Sequence, residues 1–199
     1  MINYYTEYWE SPDLDRNIEV INCINKNINS GFFDNFYIFS EKNEPRINCS
    51  LILGERKTYQ EIFDKSIDGI NVLACSDIEF DHSIKLAENI NLFDFYALTK
   101  YENDGFLHKH YTKNSYSDSQ DVWIWKNKSL IKNANFYIGT IAADNALAYI
   151  AEMSGYIVTN PCISIKVHHK HDIASRLGSS ADESTRLKLP YKILQITEL

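Results

Sequence analysis

Three acidic residues follow an apolar run in the segment 76–81, which reads SDIEFD. In an extended chain, alternation places Asp77, Glu79 and Asp81 on one side and turns the intervening apolar residues toward the core. Clustered carboxylates raise one another's pKa unless a cation neutralises them, and their oxygens suit Mg²⁺ or Mn²⁺. The segment therefore predicts a divalent-metal loop that includes Asp77. Asp81 alone fits a helix cap better, because residues 82–83 resemble a helix start.

A second group of candidate metal ligands follows a predicted strand at residues 163–167. Alternation places His169 and His171 on the same side of the chain. A single histidine is more often a surface or hydrogen-bonded residue, but two at one strand end fit metal ligands in a chain that also has an acidic trio. His108 and His110 have the same spacing, but their polar surroundings favour a solvated loop.

Three further residues lie where one predicted element gives way to another. Asp144 begins a helix after the segment 139–143, and by itself it fits a helix cap. Asp121, in the aromatic segment 119–125, is also predicted to begin a helix. Arg56 stands between a strand and a helix, a place suited to a phosphate, and a surface ion pair is the ordinary alternative.

The elements that must position these residues alternate between short apolar runs and helical patterns, which indicates an α/β fold with a parallel sheet. Helical spacing places Leu14, Ile18, Ile21 and Ile28 on one apolar face of a first helix that starts at residues 11–12. Further helices are predicted at residues 58–63 and 144–153, and strands at residues 2–8, 35–40, 47–53, 72–75, 93–99, 136–139 and 157–167. We expect residues 1–199 to form one domain, with a loop and tail at residues 178–199.

Composition excludes several classes of function. The 199 residues include 20 Lys or Arg and 27 Asp or Glu, giving a net charge of −7 without a basic cluster, so nucleic acid and anionic membranes are poor partners. No apolar stretch approaches the roughly 20 residues of a membrane span, and the first residues lack a signal-peptide core. The four cysteines are scattered without CxxC spacing. We therefore expect a cytoplasmic protein in a reducing compartment.

Taken together, these segments resemble the small stand-alone glycosyltransferases of GT-A type, some of them virus-encoded, that use nucleotide-sugar donors. The resemblance covers most of residues 2–176 and rests on blocks that occur in a fixed order. The blocks are 16–19 (RNIE), 56–59 (RKTY), 76–81 (SDIEFD), 119–124 (SQDVWI), 144–145 (DN), 155–161 (GYIVTNP) and 169–171 (HKH), with Arg176 following.

The resemblance implies a GT-A (Rossmann-like) fold with a mixed, mostly parallel central sheet that binds the donor near its first strand. It also implies Mn²⁺ (or Mg²⁺) bridging the donor diphosphate. The donor-binding residues would be Thr6, Arg56 and Asp77, and the metal ligands would be Asp77, Glu79, His169 and His171. Glu79 stands where such loops usually carry a second aspartate, so whether Glu79 or Asp81 reaches the metal stays open. Ala146 replaces an arginine that often follows the Asp-Asn pair.

The activity that this resemblance implies is transfer of a sugar from a UDP-sugar, or from a GDP-sugar, to a hydroxyl of a glycan or other acceptor. Asp144 is the first candidate for the base of an inverting reaction. Asp121 is the second candidate, either as the base or as a ligand of sugar hydroxyls, and a retaining reaction is the alternative. A catalytically degenerate nucleotide- or carbohydrate-binding domain is a competing hypothesis. A nucleotidyltransferase is another, although the chain has no Gly-rich, basic phosphate loop near its start.

Overall fold

The computed structural model describes residues 1–108, 116–170, 186–188 and 190–199. Its strands are β1 (Ile2–Tyr8), β2 (Asn35–Ser40), β3 (Leu51–Leu53), β4 (Ile70–Ala74), β5 (Ile78–Phe80), β6 (Asp94–Leu98), β7 (Tyr116–Ser117), β8 (Val122–Lys126), β9 (Ile157–Thr159), β10 (Val167–His169) and β11 (Leu194–Gln195). Its helices are α1 (Leu14–Asn29), α2 (Tyr59–Phe63) and α3 (Ala143–Met153), and a 3-10 helix spans His82–Asn89. Within these described ranges, no helix is both long and apolar enough to cross a membrane.

Seven strands form one mixed sheet in the order β3-β2-β1-β4-β8-β6-β9. β1 pairs in parallel with β2 and β4, and β3 and β9 are also parallel to their neighbours. β8 runs antiparallel between β4 and β6. The predicted α/β class with a mixed, mostly parallel sheet is therefore confirmed, and the sheet is compatible with a Rossmann-like fold. After β1 the chain crosses to β2 on one side while β4 lies on the other, and ligands bind at such switch points in open α/β sheets.

Both faces of the sheet are covered, so its central strands β1 and β4 are buried along their whole length. On one face, α2 and α3 pack over aromatic side chains that include Tyr5, Trp123 and Trp125. On the other face, the 3-10 helix packs over a cluster that includes Tyr4 and Val72. Burial on both faces explains why residues 72–74 of β4 are all apolar rather than alternating.

The first helix begins at a later residue than predicted, and part of its predicted apolar face is exposed. Its N-cap is Asp13 rather than Ser11. Leu14 is 65% exposed and Ile18 is 43% exposed, so the predicted apolar face is wrong at those two positions. The buried face includes Asn27 instead, because its amide bonds to backbone groups of β5. Apolar periodicity does not detect a face whose buried members include polar side chains.

Three of the predicted strands are shorter than expected or absent. Residues 136–139 form a turn with one isolated bridge at Tyr137. The predicted strand at residues 157–167 is interrupted after β9, where Pro161 cannot donate to a ladder, and it resumes only at β10. The predicted strand at residues 47–53 forms only at β3, at the edge of the sheet.

Asn27 on α1 holds the short strand β5 in place. Its amide nitrogen donates to the Ile78 carbonyl at 2.7 Å, and its amide oxygen accepts from the Phe80 N–H at 3.1 Å. Asn27 is buried, so it takes the place of a neighbouring strand for these two backbone groups. Since β5 directly follows Asp77, this contact sets the position of the acidic segment.

We expect Asn27→Ala to lower the free energy of unfolding by about 2–4 kcal/mol, because it leaves two buried backbone groups of β5 without partners. Urea denaturation followed by circular dichroism measures the change. Asn22→Ala, on the exposed side of the same helix, is the matched control and should change stability by at most about 0.5 kcal/mol. Equal effects of the two substitutions would contradict this role of Asn27.

Candidate functional site

A cavity of about 1180 Å³ lies beyond the carboxyl ends of β1, β2 and β4. Its volume exceeds the roughly 300–1000 Å³ that is typical of small-molecule sites. Charged side chains of both signs and one histidine line it, among them Glu7, Arg16, Arg56, Asp77, Lys100, Asp121 and His169. Four of the residues predicted from the sequence, Arg56, Asp77, Asp121 and His169, are therefore brought to one cavity.

Asp77, in the wall of this cavity, is a carboxylate whose negative charge is compensated by neighbouring side chains. Its Oδ2 accepts a hydrogen bond from the Arg16 guanidinium and lies 3.1 Å from Nε2 of His169. Burial alone would raise the pKa of Asp77, but the bonds and charges of His169 and Arg16 outweigh burial and hold this pKa well below its usual range. Asp77 is therefore an anion at neutral pH.

His169 lies between two carboxylates and is only 3% exposed. The antiparallel register of β10 and β5 pairs it with Ile78 and so brings its ring beside Asp77. Its Nε2 faces Asp77, and its Nδ1 lies 3.0 Å from Oε2 of Glu102. A neutral imidazole can donate from only one nitrogen. The tautomer of His169 therefore decides which of the two carboxylates receives a hydrogen bond from the ring.

The predicted acidic trio is not gathered around one point, which corrects the sequence prediction. Glu79 lies 2.5 Å from Nζ of Lys26 and 3.9 Å from Nζ of Lys170. Asp81 caps the 3-10 helix, as its sequence predicts, and also contacts His168. The cause is α1, which packs along β5 and places a separate cation opposite Asp77 and opposite Glu79.

The other predicted metal ligands are distributed as follows. His171 lies outside the residues that the structure describes, as do His110 and Arg176. In the described part of the chain, no group of three or more His, Cys, Asp or Glu side chains is placed to hold a metal ion. Of the four predicted ligands, Asp77 and His169 are the pair that the structure brings into contact.

Lys100 places a buried cation between two carboxylates of the cavity. Its Nζ lies 3.2 Å from Oδ1 of Asp121. Burial alone would lower the pKa of Lys100, but the charges of Asp121 and Asp77 outweigh burial and raise this pKa. Asp121 directly precedes β8, so the predicted helix start at this residue is wrong. The reason is that residues 122–126 pair with β4 on one side and with β6 on the other, so the aromatic segment forms a central strand.

Asp144 lies in the first turn of α3, and it does not line the cavity. Its Oδ2 accepts from the backbone N–H of Gln120 at 3.2 Å, and its Oδ1 accepts from the N–H of Asn145 at 2.9 Å. Burial, together with the negative charge of Asp121, raises the pKa of Asp144 to about 6. A carboxyl group with a pKa so close to neutrality can exchange a proton under physiological conditions.

Two of the predicted donor-binding residues sit at the end of β1 and beside α2. Thr6 is fully buried, does not line the cavity, and its hydroxyl donates to the Ala74 carbonyl at 2.9 Å, which joins β1 to β4. The next residue, Glu7, lines the cavity and pairs with Arg56 at 3.6 Å. Arg56 stacks its guanidinium over the Tyr137 ring, with a side chain that is 45% exposed.

Sequence reasoning assigned no role to several residues of the site. Arg16 occurs in a resemblance block without a role. Lys100 lies two residues after the end of β6, and this position after a buried strand was the available signal. Glu102 gave no signal. His108, which was predicted to be solvated, is largely buried against Glu102 at 2.6 Å.

No protein-family model matches the chain, and a search of curated proteins likewise finds no match. The fold and the cavity define an α/β protein with a charged cavity at the carboxyl ends of its parallel strands.

We expect the stability of the protein to reflect the raised pKa of Asp144. The folded state holds this proton more tightly than the unfolded chain, so the stabilisation is present below about pH 4 and is lost as the pH rises through about 6. Asp144→Asn should therefore gain about 2–3 kcal/mol relative to wild type between pH 4 and pH 7. Urea denaturation at the two pH values measures this gain. A gain no larger than that of Asp68→Asn, an exposed control, would contradict it.

Proposed function

We propose that this chain is a metal-dependent glycosyltransferase that transfers a sugar from a UDP-sugar or GDP-sugar to a hydroxyl of a glycan acceptor. The observation that carries the proposal is the contact of Asp77 with His169 in the wall of a large cavity at the carboxyl ends of β1 and β4. The cations Arg16 and Lys100 line the same cavity. A ligand of nucleotide-sugar size fits this volume, and a divalent cation would offset the excess of acidic over basic side chains in the lining, six against four. A cytoplasmic location is part of the proposal.

Asp77 and His169 fit as two ligands of one Mn²⁺ ion. Their facing atoms, Oδ2 and Nε2, are 3.1 Å apart, and adjacent ligands of an octahedral ion with bonds of about 2.1 Å are separated by about 3 Å. A mixed oxygen and nitrogen pair suits Mn²⁺. When bound, the ion would neutralise negative charge that develops on the leaving nucleoside diphosphate.

The chain's own cations would bind the diphosphate beside that pair. Arg16 presents a planar guanidinium with several donors, a geometry that matches phosphate oxygens. Lys100 supplies a single buried ammonium next to Asp121. Arg56, at the mouth of the cavity beside Glu7, is exposed enough to reach a ligand from the solvent side.

In this proposal one carboxyl group deprotonates the acceptor hydroxyl and another binds sugar hydroxyls. The pKa of Asp144, raised to about 6, suits a base that takes the proton of an acceptor hydroxyl at neutral pH. Asp121 lines the cavity, and its Oδ1 already bonds to Lys100. This position suits a ligand that orients sugar hydroxyls. Asp144 does not line the cavity, so an acceptor hydroxyl would have to pass beyond the lining residues to reach it.

One observation favours a second function, which is nucleotide binding without turnover. The Arg16 guanidinium already neutralises Asp77 through the oxygen that would bind the ion. If Arg16 keeps that place when a nucleotide binds, the diphosphate has a cationic site without a metal. Such a protein would bind nucleotides equally well in the presence of EDTA.

We expect a UDP or GDP compound to raise the melting temperature in the presence of Mn²⁺, and EDTA to abolish the shift. At a hundredfold excess over Kd, binding adds about 2.7 kcal/mol, or roughly 5–10 °C for a chain of this size. Asp77→Asn should lose the shift. Glu79→Gln should keep it, because Glu79 pairs with lysines. A shift that survives EDTA would favour binding without turnover, and no shift with UDP, GDP, CMP or dTDP compounds would contradict the proposal.

We expect Asp144→Asn to lower kcat for sugar transfer by about 10²–10⁴-fold, the usual contribution of a general base. Its Mn²⁺-dependent nucleotide shift should equal that of wild type. Release of nucleoside diphosphate with and without acceptor measures the rate. Normal transfer in Asp144→Asn together with loss in Asp121→Asn would reverse the two roles.

A further inference from the structure

We propose that Glu102 is a positioning residue that fixes the ring of His169 for metal binding, with His108 holding Glu102 in place. This inference rests on the proposed Mn²⁺ site at Asp77 and His169. It assigns a role to a carboxylate that does not line the cavity and to a histidine that the sequence predicted to be solvated.

The segment after β6 is built so that Glu102 reaches the ring from behind. The backbone N–H of Tyr101 donates to Val167 at 2.7 Å, and the N–H of His169 donates to Tyr101 at 2.8 Å, which ties this segment to β10. Glu102 and Phe106 bond through their backbones at 2.8 Å, and this closes a tight loop. The loop therefore has a fixed position relative to the His169 ring.

Glu102 uses its two oxygens for two different histidines. Oε2 lies 3.0 Å from Nδ1 of His169, and Oε1 lies 2.6 Å from Nδ1 of His108. Glu102 and His108 each have side chains that are only 19% exposed. Because both oxygens are engaged, the Glu102 carboxylate has little freedom to rotate away from His169.

The chemical consequence concerns which nitrogen of His169 is available to a metal. A carboxylate at Nδ1 holds a proton on that nitrogen, so when a cation lies between Nε2 and Asp77, the Nε2 lone pair faces that cation. Nε2 is the nitrogen that faces Oδ2 of Asp77 at 3.1 Å. The contact with Glu102 thus selects the tautomer, orients the ring toward Asp77 and strengthens Nε2 as a ligand. Loss of such a second contact usually weakens metal binding by 10- to 100-fold.

The test is a titration with Mn²⁺ alone, in which electron paramagnetic resonance measures the free ion and no activity is needed. We expect Glu102→Ala to weaken Mn²⁺ binding about 10- to 100-fold. Glu102→Gln keeps an oxygen that can accept from Nδ1 and should recover most of the affinity. Glu88→Ala, an exposed carboxylate on the 3-10 helix, is the matched control and should bind Mn²⁺ as wild type does.

The outcomes separate this inference from the proposed function. If wild type binds no Mn²⁺, the proposed metal site is wrong. If wild type binds Mn²⁺ and folded Glu102→Ala binds it equally well, Glu102 does not position His169 and the inference is overturned. A purely structural role would lower the melting temperature of Glu102→Ala and leave its Mn²⁺ affinity unchanged.

A second measurement on the wild type keeps the inference testable if Glu102→Ala does not fold. Long-range ¹⁵N–¹H correlation spectra in the presence of diamagnetic Mg²⁺ report which ring nitrogen of His169 carries the proton. We expect the proton on Nδ1, toward Glu102. A ring protonated only on Nε2 would overturn the inference.

Discussion

The buried charge of Asp77 is the interaction on which the geometry of the cavity depends. A carboxylate removed from water is costly unless cations and hydrogen bonds compensate it. Here the compensation comes from Arg16 on α1 and from His169 on β10, and each of these is held by further contacts with Glu19 and Glu102. One carboxylate therefore connects a helix, a two-stranded sheet and the loop after β6 at the carboxyl end of the central strand β4.

The same region shifts the pKa values of two carboxyl groups in opposite directions. Asp77 contacts the Arg16 guanidinium and the His169 ring and keeps a low pKa, whereas burial and the charge of Asp121 raise the pKa of Asp144 to about 6. Two carboxyl groups with such different environments can take different chemical roles at one pH, one as a permanent anion and the other as a proton acceptor. Lys100 interacts with Asp121 and Asp77, whose negative charges raise its pKa.

The sequence predicts the fold class because its signals are local. The capping box at Thr58, the glycine end of α3 at Gly155 and the apolar run at residues 72–74 of β4 all depend on neighbouring residues, and each is found in the structure. The face of α1 was mispredicted because buried asparagines replace apolar residues there, as Asn27 does. Asp121 was misplaced because an aromatic segment fits a helix or a strand until its partners β4 and β6 are known.

The site was less predictable, because its contacts join residues that are far apart in the chain. Alternation places Asp77 and Glu79 on one side, but it does not reveal that α1 supplies a separate cation to each. The register of β10 with β5, which brings His169 to Asp77, is likewise a tertiary property. Glu102 has no distinguishing neighbours in the sequence, and only the loop that ends at His108 shows its connection to the site.

The most direct test of the account is the position of manganese in a crystal of the protein grown with Mn²⁺ and UDP or GDP. Anomalous difference density recorded at the manganese absorption edge locates the ion without reference to activity. The account predicts a peak bonded to Oδ2 of Asp77 and Nε2 of His169, with diphosphate oxygens completing its coordination. A nucleotide bound without such a peak, with Arg16 still paired to Asp77, would contradict it.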